Sequence, residues 1–441
     1  MRRPTATATI ACGIALFAWT VIALAGNQTL DVDPGSSTTV NSSASPTPVA
    51  DPLSLSITAA QKHLADRPND YEVWAELGAA YVEQARVTAD PSYYPKAEGA
   101  LDKSLDLHPD GNDYAMTAMG ALANARHDFR AGADWAHQAQ EVNSANATSW
   151  GVLADSLIQL GDYDGATAAV QQMLDLRPGL PSYTRASYDL ELHGQPDRAR
   201  EALELALTGT FSPADISFCR YYLGQLAFNT GDLEEAESQF RTGLKAVAND
   251  PTLLAGLARV EAARGNDDEA VKGYERVVAA RPLPEYLVEY GTYLESLGRT
   301  EQAHEQFSVL AASQLLFESN GGQDDLTSAV VEADRGDPAM AVEHAEKEWK
   351  RRQNVEAADA MAWALHSAGR DQEALEYAVK ANRLEGPNAT YLYHQGMIEA
   401  SLGKDDAART HLQAALNTNP YFSPLYAPRA EDTISELGEG E

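Results

Sequence analysis

Eight glycines recur along this chain at a nearly fixed step: Gly161, Gly194, Gly231, Gly265, Gly298, Gly336, Gly369 and Gly403, separated by 33, 37, 34, 33, 38, 33 and 34 residues. Five residues after each stands an alanine: Ala166, Ala199, Ala236, Ala270, Ala303, Ala341, Ala374 and Ala408. Seven residues before each stands a small residue: Ala154, Ser187, Gly224, Ala258, Gly291, Ala329, Ala362 and Gly396. A step near 34 with small residues at fixed offsets marks stacked helical hairpins.

The chemistry of the unit explains the pattern. The stretch before each glycine has helical spacing, as in Trp150, Leu153, Leu157 and Leu160. Glycine adopts the left-handed conformation that ends a helix. Polar and acidic residues follow, as in Gly-Asp-Leu-Glu-Glu-Ala at 231–236 and Gly-Asn-Asp-Asp-Glu-Ala at 265–270. Asp or Asn there caps a second helix, and carboxylates in its first turn favour the helix dipole. The small residues let the two helices approach. Larger residues four after the alanine fill the groove between them: Val170, Leu203, Phe240, Tyr274, Phe307 and Leu412, with Ala345 and Ala378 as exceptions.

The unit resembles the tetratricopeptide repeat, W-x2-L-G-x2-Y…A-x3-F…P. The N-terminal copy carries Trp74, Leu77, Gly78 and Tyr81, then Ala97, Leu101 and Pro109, with about seven residues inserted near Thr88 to Tyr94. The copy near Gly120, Ala131 and Trp135 is irregular. The resemblance covers residues 58–422, some ten repeats. It implies an all-α, right-handed superhelical solenoid of about ten helical hairpins, whose concave face binds segments of partner proteins. The step of 38 before Gly336 inserts Ser-Asn-Gly-Gly-Gln at 319–323, and the eighth copy lacks large apolar residues at several packing positions. A bend or weak joint is expected there, dividing the array into residues 58–318 and 319–422. Residues 423–441 are expected to supply a C-terminal capping helix and acidic tail, because a solenoid end needs a polar cover.

The first 26 residues read as an export signal or a membrane anchor. Arg2 and Arg3 precede an uncharged run from Ile10 to Ala25 that ends in Ala23-Leu24-Ala25. Small residues flanking a larger one after an apolar run fit signal-peptidase cleavage, and retention as an anchor is the alternative. Either way the arginines stay in the cytoplasm and the remainder crosses. Membrane contact is expected only through this segment, if it is uncleaved. Residues 27–57, rich in Ser, Thr, Pro and Asp, read as a disordered linker. Asn-x-Ser/Thr triplets start at Asn27, Asn41, Asn146 and Asn388 and are taken as chance occurrences.

Charge narrows the partners. Among 441 residues, 65 Asp and Glu face 33 Lys and Arg, a formal net charge of −32. Nucleic acid is bound through cations and counterion release, so it is excluded as a partner. Two cysteines cannot make a disulfide framework, and Cys12 lies in the leader. Cys219 reads as a buried thiol. No H-E-x-x-H, G-x-S-x-G or G-x-x-x-x-G-K-[ST] occurs, and the histidines, His108, His127 and His137 among them, share no metal-ligand spacing. The basic cluster Lys347, Lys350, Arg351 and Arg352 suits a helix C-terminus. No cofactor, metal or catalytic residue is expected.

In proteins with such repeats the concave face is lined by first helices. The register of the glycines places Tyr188, Phe218, Tyr221, Gln225, Phe228, Asn229 and Arg259 on it, and further on Trp363 and Tyr393. Aromatic groups beside amide and guanidinium donors suit an extended peptide. The expectation is a non-enzymatic, extracytoplasmic scaffold for other proteins or peptide segments, secreted or anchored at the cytoplasmic membrane in the bacterial manner. The alternative is an extracytoplasmic binding protein for a peptide, glycan or small ligand.

Overall fold

The computed structural model describes residues 52–438. The expected leader, Cys12, the triplets at Asn27 and Asn41, and the linker through residue 51 lie outside the described residues. Helix α1 (Pro52–Asp66) leads into ten hairpins. These are α2 (Tyr71–Thr88) with α3 (Tyr94–Leu107), α4 (Asp113–Ala125) with α5 (Phe129–Val142), α6 (Ala147–Leu160) with α7 (Tyr163–Leu176), α8 (Leu180–Leu192) with α9 (Pro196–Thr208), and α10 (Pro213–Asn229) with α11 (Leu233–Ala246). The array continues through α12 (Pro251–Ala263) with α13 (Asp267–Ala280), α14 (Pro284–Ser296) with α15 (Thr300–Ser319), α16 (Asp325–Arg335) with α17 (Pro338–Arg351), α18 (Val355–Ser367) with α19 (Asp371–Ala381), and α20 (Ala389–Ser401) with α21 (Asp405–Thr418). Helix α22 (Tyr426–Gly438) closes it. The fold is an all-α superhelical solenoid of about ten hairpins. Helix α1 starts at Pro52, inside the stretch expected as linker, because Ile57 and Leu64 bury against the first hairpin. Among the described residues no helix is long and apolar enough to cross a membrane.

The repeat signature acquires its physical meaning here. Seven of the eight glycines have φ between +66° and +85°; Gly336, at φ −114°, is the exception. The following alanines are all essentially inaccessible. A Cβ on Gly224 would stand 2.4 Å from the Phe240 ring, one on Gly291 2.6 Å from Phe307, and one on Gly396 2.7 Å from Leu412. The small residue is thus the notch into which the second helix drives its large side chain, as close-packed interiors require. Asp162 and Asp232 cap their second helices through the amides of Gly165 and Glu235, both at 3.0 Å. Asn266 instead donates to Glu261 at 2.7 Å. The triplets at Asn146 and Asn388 are N-caps of α6 and α20, their side-chain oxygens accepting from backbone amides at 3.0 to 3.3 Å. The copy around Gly120 forms a regular hairpin, α4 with α5. The insertion near Thr88–Tyr94 is a left-handed Ala89 followed by a 3-10 turn at Pro91–Tyr93.

Between α15 and α16 the packing changes character. Arg335 reaches back from α16 to Glu295 at 2.9 and 2.6 Å and to Thr292 at 3.0 Å, while its guanidinium lies 4.1 Å from the Phe307 ring centre. Val331 of α16 packs beside these polar bridges against Leu287, Val288 and Leu310.

The superhelix then returns onto itself. The His127 ring Nδ1 meets Gln323 O at 2.8 Å, the Tyr163 hydroxyl accepts from Val355 N at 3.0 Å, Gly386 N donates to Leu192 O at 3.0 Å, and Asn419 Nδ2 donates to Phe228 O at 2.9 Å. These partners lie 191 to 196 residues apart, fewer than six steps of 34. The inter-repeat loops of the second turn sit on the hairpin bends of the first. Buried Arg352, expected only as a dipole partner of its helix, joins the seam by donating to Gln159 and to Glu348.

Candidate functional site

First helices present residues three to four apart on the concave side, one helical stripe per repeat. Phe218, Tyr222, Gln225 and Phe228 form this stripe on α10; Arg185, Tyr188 and Glu191 form it on α8; Arg259 and Ala262 form it on α12; Glu285, Glu289 and Thr292 form it on α14. With α6 below, they enclose a cavity of about 470 Å³. The second superhelical turn roofs it with Val355 and Glu356, residues 386–391 and residues 419–424.

A hydrogen-bonded spine crosses the four helices. Asn229 donates to Glu191 at 2.8 Å, Gln225 donates to Asn229 at 2.8 Å, and Arg259 donates to Gln225 at 2.5 Å. Arg259 also grips Glu289 with two bonds of 2.6 and 2.8 Å, and the Tyr274 hydroxyl donates to the same carboxylate at 2.7 Å. A second fork, Arg185 on Asp155 at 3.0 and 2.8 Å, closes the α6 side. Paired planar groups of this kind hold their geometry better than single bonds. Burial pushes the Glu285 carboxyl up to about 7. Burial likewise raises Glu191 against the bond from Asn229, and Glu356 against the attraction of Arg352. The interior is therefore pre-formed, aromatic on its walls and short of positive charge.

Six of the expected groove residues, Tyr188, Phe218, Gln225, Phe228, Asn229 and Arg259, line this cavity. Three do not. Tyr221 is one position off the stripe; it turns toward α11, its ring centre 6.0 Å from that of Phe240, and is 4% exposed. Trp363 follows the register of the stripe, yet α22 covers it: Trp363 and Tyr426 both donate to Asp334, at 2.6 and 2.8 Å. Tyr393 is fully buried and stacks on Tyr426 with ring centres 4.5 Å apart. The start of α22 occupies the place that these side chains would have offered. Cys219 is a buried thiol, raised to about 12 by burial and by the nearby Asp215.

Sequence reasoning missed Glu191, Glu285, Glu289, Arg185 and Tyr222. The signal existed: counting back 3, 6, 9 and 13 residues from each helix-ending glycine picks out these positions. The roof from 386–391 and 419–424 had no such signal.

A family profile of the tetratricopeptide repeat matches residues 117–181, 185–251 and 221–284. Cellulose synthase 1 operon protein C of Komagataeibacter xylinus is 26% identical over 196 residues, which is 44% of this chain and 12% of that protein. Cellulose synthase operon protein C of Pseudomonas fluorescens is 27% identical over 213 residues, 45% of this chain and 16% of that protein. The match thus spans well under a fifth of either relative's length. Among solved structures, a tetratricopeptide repeat protein from Parabacteroides merdae is similar at 18% identity and a TM-score of 0.36, covering 58% of this chain and 97% of that one. Yeast Tom70 is similar at 12% identity and 0.37, covering 88% and 96%.

Proposed function

Since this chain is a tetratricopeptide repeat protein, we propose that it is a non-enzymatic scaffold that holds segments of other proteins in the concave cavity between α6 and α14, outside the cytoplasmic membrane. The observation that carries the reading is the cavity itself: rigid forks fix its polar spine, and Phe218, Tyr222 and Tyr188 offer apolar surface beside it. Aromatic anchors beside preorganised polar groups are what an extended segment needs from a groove. The placement outside the membrane rests on Arg2, Arg3 and the apolar run to Ala25.

The test is a photoreactive side chain substituted for Phe218 on the cavity wall and, as control, for the exposed Leu205 on α9. In the native host, a defined protein cross-linked from position 218 and absent from 205 is expected; identical products from both positions overturn the assignment of the cavity. A reporter fused to the C-terminus is expected to be active only outside the cytoplasm.

A second reading is favoured by one feature. A volume of about 470 Å³ lies within the range of small-ligand sites. A glycan or small molecule retained in native mass spectrometry, with no protein cross-linked from position 218, selects that reading.

A further inference from the structure

The charges of the cavity do not balance. Five carboxylates line it, Asp155, Glu191, Glu285, Glu289 and Glu356, against the guanidinium groups of Arg185 and Arg259. Both guanidinium groups are already committed in two-pronged pairs, to Asp155 and to Glu289. Glu356 has Arg352 at 3.5 Å, and Glu191 accepts from Asn229. Among the described residues no ion pair closes on Glu285; its hydrogen bond comes from its own backbone amide, with Arg281 within electrostatic reach on one side and Asp324 and Glu289 on the other. Tyr222 lies within electrostatic reach of both Glu285 and Glu191, and its ring centre is 4.7 Å from that of Phe218.

We propose that the occupant of this cavity is a basic, extended peptide segment whose lysine or arginine side chains lie along Tyr222 and Phe218 and end separately on Glu285 and on Glu191. This deepens the scaffold reading and rests on it. A carboxylate held away from water without a partner is costly, and an arriving cation removes that cost. The long aliphatic stem of Lys or Arg covers aromatic surface while its head meets the carboxylates, and the ring faces attract the charge further. An acidic segment is rejected by the same carboxylates, and a neutral one leaves Glu285 as it was. The net charge of −32 steers basic chains toward the molecule without specifying where they dock.

The experiment titrates the full chain into three capped peptides of about ten residues carrying a neutral fluorophore, Gly alternating with Lys, with Gln or with Glu, read by anisotropy at about 150 mM salt, where exposed charges are screened beyond about 8 Å. The Lys peptide is expected to bind at least about tenfold tighter than the Gln peptide, a difference of about 1.4 kcal/mol. Glu285→Gln with Glu191→Gln removes that advantage. Glu301→Gln with Glu305→Gln, which takes the same charge from the exposed face of α15, leaves it. Equal loss in both double variants means diffuse attraction to an acidic surface and overturns the proposal. Equal binding of the Lys and Gln peptides, abolished by Phe218→Ala, overturns the cationic assignment while keeping the groove as a peptide site. No binding of any peptide overturns both. Unchanged helical circular dichroism of each variant guards against misfolding.

Discussion

Asn419, at the end of the last hairpin, donates its side-chain amide to the backbone carbonyl of Phe228, 2.9 Å away and 191 residues earlier. Both residues are buried, 3% and 5% exposed. The bond ties the second turn of the superhelix to the bend of the fifth hairpin, at the rim of the cavity. Beside it Pro420 packs 3.0 Å from where a Cβ on Gly231 would stand. The Phe228 carbonyl also accepts from Gly231 N at 2.9 Å, so Asn419→Ala removes one of its two donors and costs about 0.5 to 1.5 kcal/mol. Hydrogen exchange is expected to quicken at residues 228–232 and 419–421 and to stay unchanged in the first hairpin. Uniform quickening along the chain would mean that the seam is not an independent contact.

The Phe240 ring is held between two glycines. A Cβ would meet it at 2.4 Å from Gly224 and at 2.6 Å from Gly256. Gly224→Ala is therefore expected to destabilise by about 1 to 3 kcal/mol through overpacking, and Phe240→Leu in the same chain should recover part of the loss. Gly265→Ala makes a useful contrast. Nothing stands within 4 Å of that Cβ, but φ is +74°, so the cost is about 1 kcal/mol and comes from the left-handed backbone alone. Urea midpoints of the three variants check the order. A Gly224→Ala chain as stable as the wild type would refute the notch.

The repeat was legible because its constraints are local. Each notch glycine or alanine and the side chain that fills it lie within one hairpin, so Gly224 and Phe240, or Gly291 and Phe307, leave their trace at fixed spacing. The concave stripe was legible in part for the same reason. The seam was not legible: Asn419, Phe228, His127 and Gln323 satisfy backbone groups nearly 200 residues apart, and nothing near any of them in sequence announces the partner. Trp363 and Tyr393 show the consequence. Trp363 stands six residues before its glycine, as Gln225 and Arg259 do, and Tyr393 ten before, as Tyr221 does; whether even a position on the stripe stays open depends on a distant segment, here Tyr426 of α22.

Arg259 is the hinge of the polar spine, and its fork on Glu289 is testable as a pair. Its side chain is 17% exposed and that of Glu289 22%, so neither charge is fully solvated. Arg259→Ala leaves Glu289 with only the Tyr274 hydroxyl and the Gln225 oxygen without its donor, and is expected to cost about 2 kcal/mol, with Arg259→Lys recovering less than half, because an ammonium cannot bind two oxygens and an amide in one plane. In a double-mutant cycle with Glu289→Ala the coupling should be about 1 to 3 kcal/mol. A coupling near zero would mean that the pair is held by packing alone.

The Asp334 carboxyl joins α16 to α18 and α22, accepting from Trp363 Nε1 and the Tyr426 hydroxyl. Burial pushes it up to about 6, despite Arg335 and these two donors, from an ordinary value of 3.8. Below about pH 4 the group is protonated in both the folded and the unfolded chain, and it imposes no penalty. Between about pH 4 and 6 the unfolded chain releases this proton while the folded chain retains it, so unfolding becomes easier as pH rises. Above about pH 6 the penalty is constant, at most about 3 kcal/mol for a shift of roughly two units. Asp334→Asn, which keeps an acceptor for Trp363 and Tyr426, removes this one slope. Its stability relative to the wild type is therefore expected to improve between pH 4 and pH 7 by up to about 3 kcal/mol, read from urea midpoints at the two pH values. Parallel pH profiles for the two chains would show that Asp334 titrates at the same pH in the folded and unfolded protein.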